Sequence, residues 1–199
     1  MAMLRGKMLP FPICEETMPR YLPIQTDAAH SDIQKVYDSF EKELGFVPNY
    51  IKTLAHSPHY LGPIAKVYLQ LHGESSLSEK LRQLLILKTC KLDRCKSTLD
   101  WHQEQALKAG WTEEQLGATE AFQDSDHFNQ YERDALVLVE YLLTAPDEIP
   151  QNAFWTTLDN HFTSDQVVEM ISLVGVVNMV NRFVLAVEVE SDPIPVEAG

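Results

Sequence analysis

A thiol, a hydroxyl and an imidazole recur at short intervals in one stretch of this 199-residue sequence: Cys95, Thr98 and His102. A helix advances about 100° and about 1.5 Å per residue. At that spacing these three residues and Ala106 fall on one helical face. Thr98 and His102 are one turn apart and are expected to touch. Cys95 lies a turn nearer the N-terminus, where free backbone N–H groups favour a thiolate, and Arg94 and Lys96 add positive charge beside it. Such a set supports thiol chemistry at Cys95 or proton transfer at His102. Each residue also has an ordinary packing role. A cysteine in a helical protein is often a small buried hydrophobe, and a histidine on an apolar face is often a hydrogen-bonded core residue. Gln83 reads as a polar residue beside a core stripe. Cys14, Cys90, Trp101 and Trp111 read as packing residues.

The elements that must position this set follow from periodicity and punctuation. Ile33, Val36, Tyr37, Phe40 and Leu44 recur at helical spacing from Ser31 and stop at Gly45. Val47-Pro48-Asn49 opens a short helix. Ser57-Pro58 opens another that ends near Gly73. Ser76 and Glu79 read as a capping box before Leu81, Leu84, Leu85 and Leu87, in a helix reaching about Cys90. Asp93 reads as the cap of the next helix, which stops at Gly110. Thr112 with Gln115, and Asn129 with Glu132, form two further capping boxes. The Asn129 helix stops before Pro146, a helix follows near residues 151–161, and Ser164 caps the last and longest one. Gly175 interrupts that valine-rich run, but no segment alternates with period two as a strand would. The expected class is all-α. Residues 1–29, with Pro10, Pro12, Pro19 and Pro23, read as an extended N-terminal arm over the domain or a neighbouring subunit. Residues 30–190 form one helical domain, and 191–199 a C-terminal tail.

Composition narrows the function. The formal charge is −13, so a nucleic acid or an anionic membrane surface is an unfavourable partner. The opening residues have no apolar core of a secretory signal. The apolar run Val167–Val187 carries Glu169, Asn178, Asn181 and Arg182, so it reads as a buried helix rather than a membrane span. Three cysteines make a poor disulfide framework and suit a reducing compartment, so the expected location is the cytoplasm. No metal or other cofactor is called for.

Leu81-Arg82-Gln83-Leu84, followed by Cys95 and His102 seven residues apart and then by Ala106 and Gly110, resembles the alkylhydroperoxidase-D-like and carboxymuconolactone decarboxylase superfamily. Phe40, Leu44-Gly45-Phe46-Val47-Pro48-Asn49 and His56-Ser57-Pro58 are similar to the first helices of its longer, peroxidase-related members. Leu158, His161-Phe162-Thr163-Ser164-Asp165-Gln166 and Asn178-Met179-Val180-Asn181-Arg182-Phe183 are similar to their last two. The resemblance spans roughly residues 31–190. It implies a helical bundle and a homo-oligomer, a trimer or hexamer, to which Val167, Val168, Ile171, Val174, Val177 and Val184 add apolar surface. It also implies a site in which the second cysteine of a Cys-x-x-Cys pair attacks peroxide, the first resolves it, and a histidine and a glutamate relay protons. Here Cys95 matches the first cysteine and His102 the histidine. Thr98 replaces the attacking cysteine and Gln83 the glutamate. A threonine hydroxyl has no accessible anion at neutral pH, and an amide cannot move a proton.

Three functions follow as expectations. The first is a thiol-dependent peroxidase or antioxidant oxidoreductase of altered design, acting on organic hydroperoxides through Cys95 with little activity left. Cys90 is then the nearby resolving candidate, and five residues of separation permit a disulfide without requiring one. The second is a non-redox acid–base enzyme acting on a small lactone or carboxylate, with His102 as acid or base and Thr98 and Gln83 orienting it. The third is a non-catalytic oligomer that binds a ligand or partner.

Overall fold

The structure is a computed structural model that describes residues 18–150 and 152–192. The described residues form nine α-helices and three short 3₁₀ turns, with no strand. Cys14 and most of the expected arm and tail lie outside them.

Helix α1 (Ser31–Leu44) spans the stretch its apolar spacing predicts, and buries Ile33, Tyr37 and Phe40. Gly45 ends it at φ +78°, a left-handed conformation that costs glycine little. Helices α2 (Asn49–Leu54) and α3 (Pro58–Gln70) complete the N-terminal layer, and α1 packs against α3. Pro58 sits at the first position of α3, where its missing N–H removes no helical bond. The short segment before α1 lies on this layer. Ile24 N–H donates to the Lys52 carbonyl at 3.1 Å, and Arg20 N–H donates to the Val187 carbonyl at 2.9 Å.

Helix α4 (Glu79–Asp93) is the axis of the molecule. Every residue from Leu81 to Cys90 is buried, polar ones included. Three long elements cover it: α5 (Lys96–Lys108), α7 (Gln130–Thr144) and α9 (Ser164–Val187). A helix buried on all sides must be surrounded by others, and its buried polar side chains must find partners within the protein. Lys88, buried within it, is neutralised by Glu140 at 2.7 Å and also donates to the Thr119 carbonyl at 3.0 Å. Short α6 (Glu113–Gly117) and α8 (Ala153–Asp159) connect the long elements. The capping boxes at Thr112 and Asn129 form as expected.

Three local expectations are corrected. Ser78, not Ser76, caps α4, accepting from Leu81 N–H at 3.3 Å. Ser76 instead donates its N–H (2.9 Å) and its hydroxyl (2.6 Å) to Glu169 of α9. Asp93 is the last residue of α4 rather than the cap of α5. Arg94 turns the chain at φ +58°, and Cys95 is the residue before the first turn of α5. Thr163, not Ser164, precedes α9, its N–H bonded to the Gln166 side chain at 3.1 Å. Helix α9 runs unbroken through Gly175 and is long and apolar enough to cross a membrane. In this fold it buries Val167, Met170, Leu173, Val174, Val177, Val180 and Val184, packing on α4 and α7.

Candidate active site

The site is built where α4 and α5 cross, beneath the α1–α2 connection and the chain leaving α9. Gln83 and His102 meet there. The Gln83 Oε1 atom lies 3.2 Å from His102 Nδ1, and both residues are almost completely buried. The other end of the Gln83 amide is occupied, because its Nε2 donates to Glu79 Oε1 at 2.7 Å. A carboxylate only accepts, so the NH₂ must face Glu79 and the carbonyl must face the imidazole. His102 Nδ1 is therefore the protonated nitrogen, and Nε2 carries the free lone pair.

Burial pushes the His102 imidazole down to about 3, and the neighbouring His72 contributes in the same direction. His72 stacks parallel to His102 with ring centroids 6.4 Å apart, and Trp101 meets both rings edge-on. Burial also pushes His72 down, to about 4, helped by the charge of Arg82. The His72 Nε2 and Trp101 Nε1 atoms are buried without a hydrogen-bond partner. Two neutral imidazoles and an indole thus make an aromatic corner of low polarity. Spacing arguments assign neither His72 nor Glu79 to the site; Glu79 reads there only as part of a capping box. The one signal for His72 is its place just past the end of α3; nothing in sequence connects it to His102.

A cleft of about 30 Å3 opens against His102, lined by Phe46, Tyr50, Tyr68, Ser97, Thr98 and Trp101 among others. That volume holds about one water molecule. Residues 189–192 form one wall. There Asp192 accepts from Asn49 N–H at 2.6 Å, and burial raises its carboxyl above the ordinary range.

Thr98 and His102 both line the cleft, but the hydrogen bond expected between them does not form. The Thr98 hydroxyl donates to Asn181 Oδ1 at 2.7 Å, and is 3.2 Å from the Cys95 carbonyl. Asn181, fully buried on α9, is held in turn by Asp93 at 2.8 Å. Sequence spacing misses this contact because it joins elements more than eighty residues apart.

Cys95 departs furthest from the expected face. As the residue before α5 it has φ −92° and ψ 92°, outside the helical region. The 100° phase that aligns Thr98, His102 and Ala106 therefore does not extend back to it. Its side chain is fully buried, 3.7 Å from the Ser97 hydroxyl, and it does not line the cleft. Cys90 is equally buried, and burial pushes its thiol up to about 12. Both are free thiols, joined through the backbone by Cys95 N–H donating to the Cys90 carbonyl at 3.0 Å. Among the described residues no cluster of His, Cys, Asp and Glu is arranged to hold a metal ion.

This architecture is that of the alkylhydroperoxidase-D-like helical proteins. A peroxidase-related protein from Silicibacter sp. TM1040 superposes with a TM-score of 0.74 at 21% identity, covering 91% of this chain and 96% of that one. The alkylhydroperoxidase AhpD core from Ralstonia eutropha JMP134 superposes with a TM-score of 0.75 at 18% identity, covering 89% and 94%. The debrominase Bmp8 in complex with 2,3,4-tribromopyrrole gives 0.73 at 19%, covering 91% and 95%. The uncharacterized protein YdfG of Bacillus subtilis (strain 168) is 24% identical over 113 residues, 57% of this chain and 77% of that protein. Residues 58–141, from the start of α3 into α7, match the carboxymuconolactone decarboxylase family. The family match lies within the region whose fold these solved structures share.

Proposed function

We propose that this protein is an enzyme of small organic molecules that works by proton transfer at His102 rather than by a two-thiol peroxidase cycle. The carrying observation is the contact of Gln83 Oε1 with His102 Nδ1 while the Gln83 NH₂ faces Glu79. The amide oxygen then accepts from Nδ1–H, leaving a neutral imidazole with its lone pair at Nε2 beside the cleft, while neither Cys90 nor Cys95 lines it. A neutral imidazole with a free lone pair is the form a general base needs, and because burial makes His102 a weak base, the proton it takes must come from an acidic C–H or O–H, such as one flanked by a carbonyl or a ring π system. The aromatic walls of Phe46, Tyr50, Tyr68 and Trp101 favour a small unsaturated ring. A small lactone fits that description, as does a pyrrole of the kind bound by the debrominase of the same fold. The present cleft is smaller than either, so binding requires its walls to open.

The thiol reading retains one support, the adjacency of Cys90 and Cys95 at the α4–α5 junction. On that reading Cys95 attacks an organic hydroperoxide and Cys90 resolves it. The two readings separate in D₂O. Small unsaturated lactones and pyrroles are incubated with the protein and followed by proton NMR for deuterium uptake or turnover, beside an alkyl hydroperoxide consumption assay with a dithiol reductant. Activity lost in His102→Gln and kept in Cys95→Ser supports proton transfer. Robust peroxide consumption that disappears in Cys95→Ser overturns it.

A homo-oligomer is part of the same proposal. Val168, Met179 and Leu185 leave apolar surface of α9 exposed, and Val67 does the same on α3. Light scattering at micromolar concentration tests this, and a monomer would contradict it.

A further inference from the structure

We propose that Glu79, on the rim of the site and one turn before Gln83, is the positioning residue that sets the protonation state of His102 through the Gln83 amide. The inference rests on the proton-transfer reading above and names the group that makes it possible. The chain of contacts runs Glu79 Oε1, Gln83 Nε2, Gln83 Oε1, His102 Nδ1, with separations of 2.7 Å at the first contact and 3.2 Å at the last. It is a carboxylate–histidine pair with an amide inserted between the two.

Each link has a physical reason. Glu79 and Gln83 are four residues apart on α4, so their side chains stand one above the other. Arg82 holds the second carboxylate oxygen of Glu79 while its other nitrogen donates to the Gly73 carbonyl at 2.8 Å, so the carboxylate is fixed from two sides. Burial alone would raise the Glu79 carboxyl, but the Gln83 and Arg82 hydrogen bonds and the Arg82 charge pull it below the usual carboxylate range. It therefore remains an anion, and an acceptor only, throughout the neutral range. The buried Gln83 amide has no alternative partner and must orient to suit it.

The consequence at His102 is twofold. Before reaction, Nδ1–H donates to the amide carbonyl and Nε2 is the base. During reaction the substrate C–H or O–H bond breaks, its electron pair stays on the substrate, and the proton passes to Nε2. The imidazolium then donates a stronger hydrogen bond from Nδ1 into an amide polarised by an anion at its far end. No proton crosses the amide.

Glu79 is an exposed residue on the first turn of α4 that contributes no apolar packing, so its replacement acts on the polar partners Arg82 and Gln83. Glu79→Lys puts a donor where an acceptor stood. Gln83 should then rotate, present its NH₂ to the imidazole, and force the proton from Nδ1 to Nε2. Long-range ¹H–¹⁵N spectra of the folded protein read this directly. Wild type should show His102 protonated at Nδ1, Glu79→Lys should show it protonated at Nε2, and Glu79→Asp should restore the wild-type pattern. In the deuterium-uptake assay Glu79→Lys should lose about 10²-fold or more in rate with binding of the probe molecule preserved. An unchanged His102 tautomer in Glu79→Lys overturns this inference. A switched tautomer, with uptake unaffected in both Glu79→Lys and His102→Gln, overturns the reading of His102 as the base and removes any catalytic role for Glu79.

Discussion

Moving the negative charge one turn along α4 should convert His102 from a permanently neutral imidazole into one that titrates near physiological pH. The perturbation is Gln83→Glu combined with Glu79→Gln. The second change is needed because Gln83 and Glu79 are 2.7 Å apart, and two carboxylates at that distance would force one to take up a proton. The new carboxylate would stand where the Gln83 oxygen now does, 3.2 Å from Nδ1. A unit charge pair at about 4 Å with an effective dielectric near 20 is worth about 4 kcal/mol. At about 1.4 kcal/mol per tenfold, that is about a thousandfold in proton affinity. His102, now near 3, should titrate near 6. The assay is an NMR titration of the histidine ring resonances from pH 4 to 8, assigned with His72→Gln and His102→Gln. Wild-type His102 should show no step in that window, and the double variant should show one. A wild-type His102 that titrates near 6.5, or a double variant that stays flat, would refute the reasoning.

Folding stability should fall with acidification, since His72 and His102 have pKa values depressed to about 4 and about 3 in the folded state. The unfolded chain takes up both protons below about pH 6.5 while the folded chain does not, so stability is full above that pH and lost toward pH 4, at up to about 1.4 kcal/mol per pH unit for each histidine. Urea unfolding at pH 7, 6 and 5 measures this, and His102→Gln should flatten the slope. Leu84→Ala, at a fully buried position of α4, should cost about 2–5 kcal/mol in the same measurement. Asp192→Ala removes the acceptor for Asn49 N–H and should loosen the 189–192 wall. Acrylamide should then quench Trp101 fluorescence more strongly than in wild type, with the Trp111→Phe and Trp155→Phe background isolating the signal.

Much of the fold was legible locally. The α1 boundaries, the Thr112 and Asn129 capping boxes and the Gly45 and Gly110 stops depend on residues within one turn of each other, and the structure forms them. The failures share one cause. Ser76 satisfies the local pattern of a cap, but Glu169 reaches it from α9, ninety-three residues away. Asp93 looks like a cap, but Asn178 and Asn181 bind its two oxygens at 2.7 and 2.8 Å, and α4 continues through it. The candidate site divides in the same way. Thr98 and His102 share the cleft because both lie inside α5, where helical phase holds. Cys95 lies one residue before that helix, and its side chain is directed by a turn whose angles spacing does not reveal. Gln83 is legible only through the family resemblance. Its partner Glu79 fits a capping-box pattern with Ser76, but its side chain lies instead against Gln83 and Arg82.

The central claim is that the working group of this site is an imidazole and not a thiol. Peptide mapping of the native protein after brief exposure to an equimolar organic hydroperoxide, followed by alkylation, tests it most directly. The account predicts that Cys95 and Cys90, both fully buried, are neither oxidised nor alkylated within minutes, and become alkylated only after unfolding in urea. Prompt stoichiometric oxidation of Cys95 in the folded protein would contradict it.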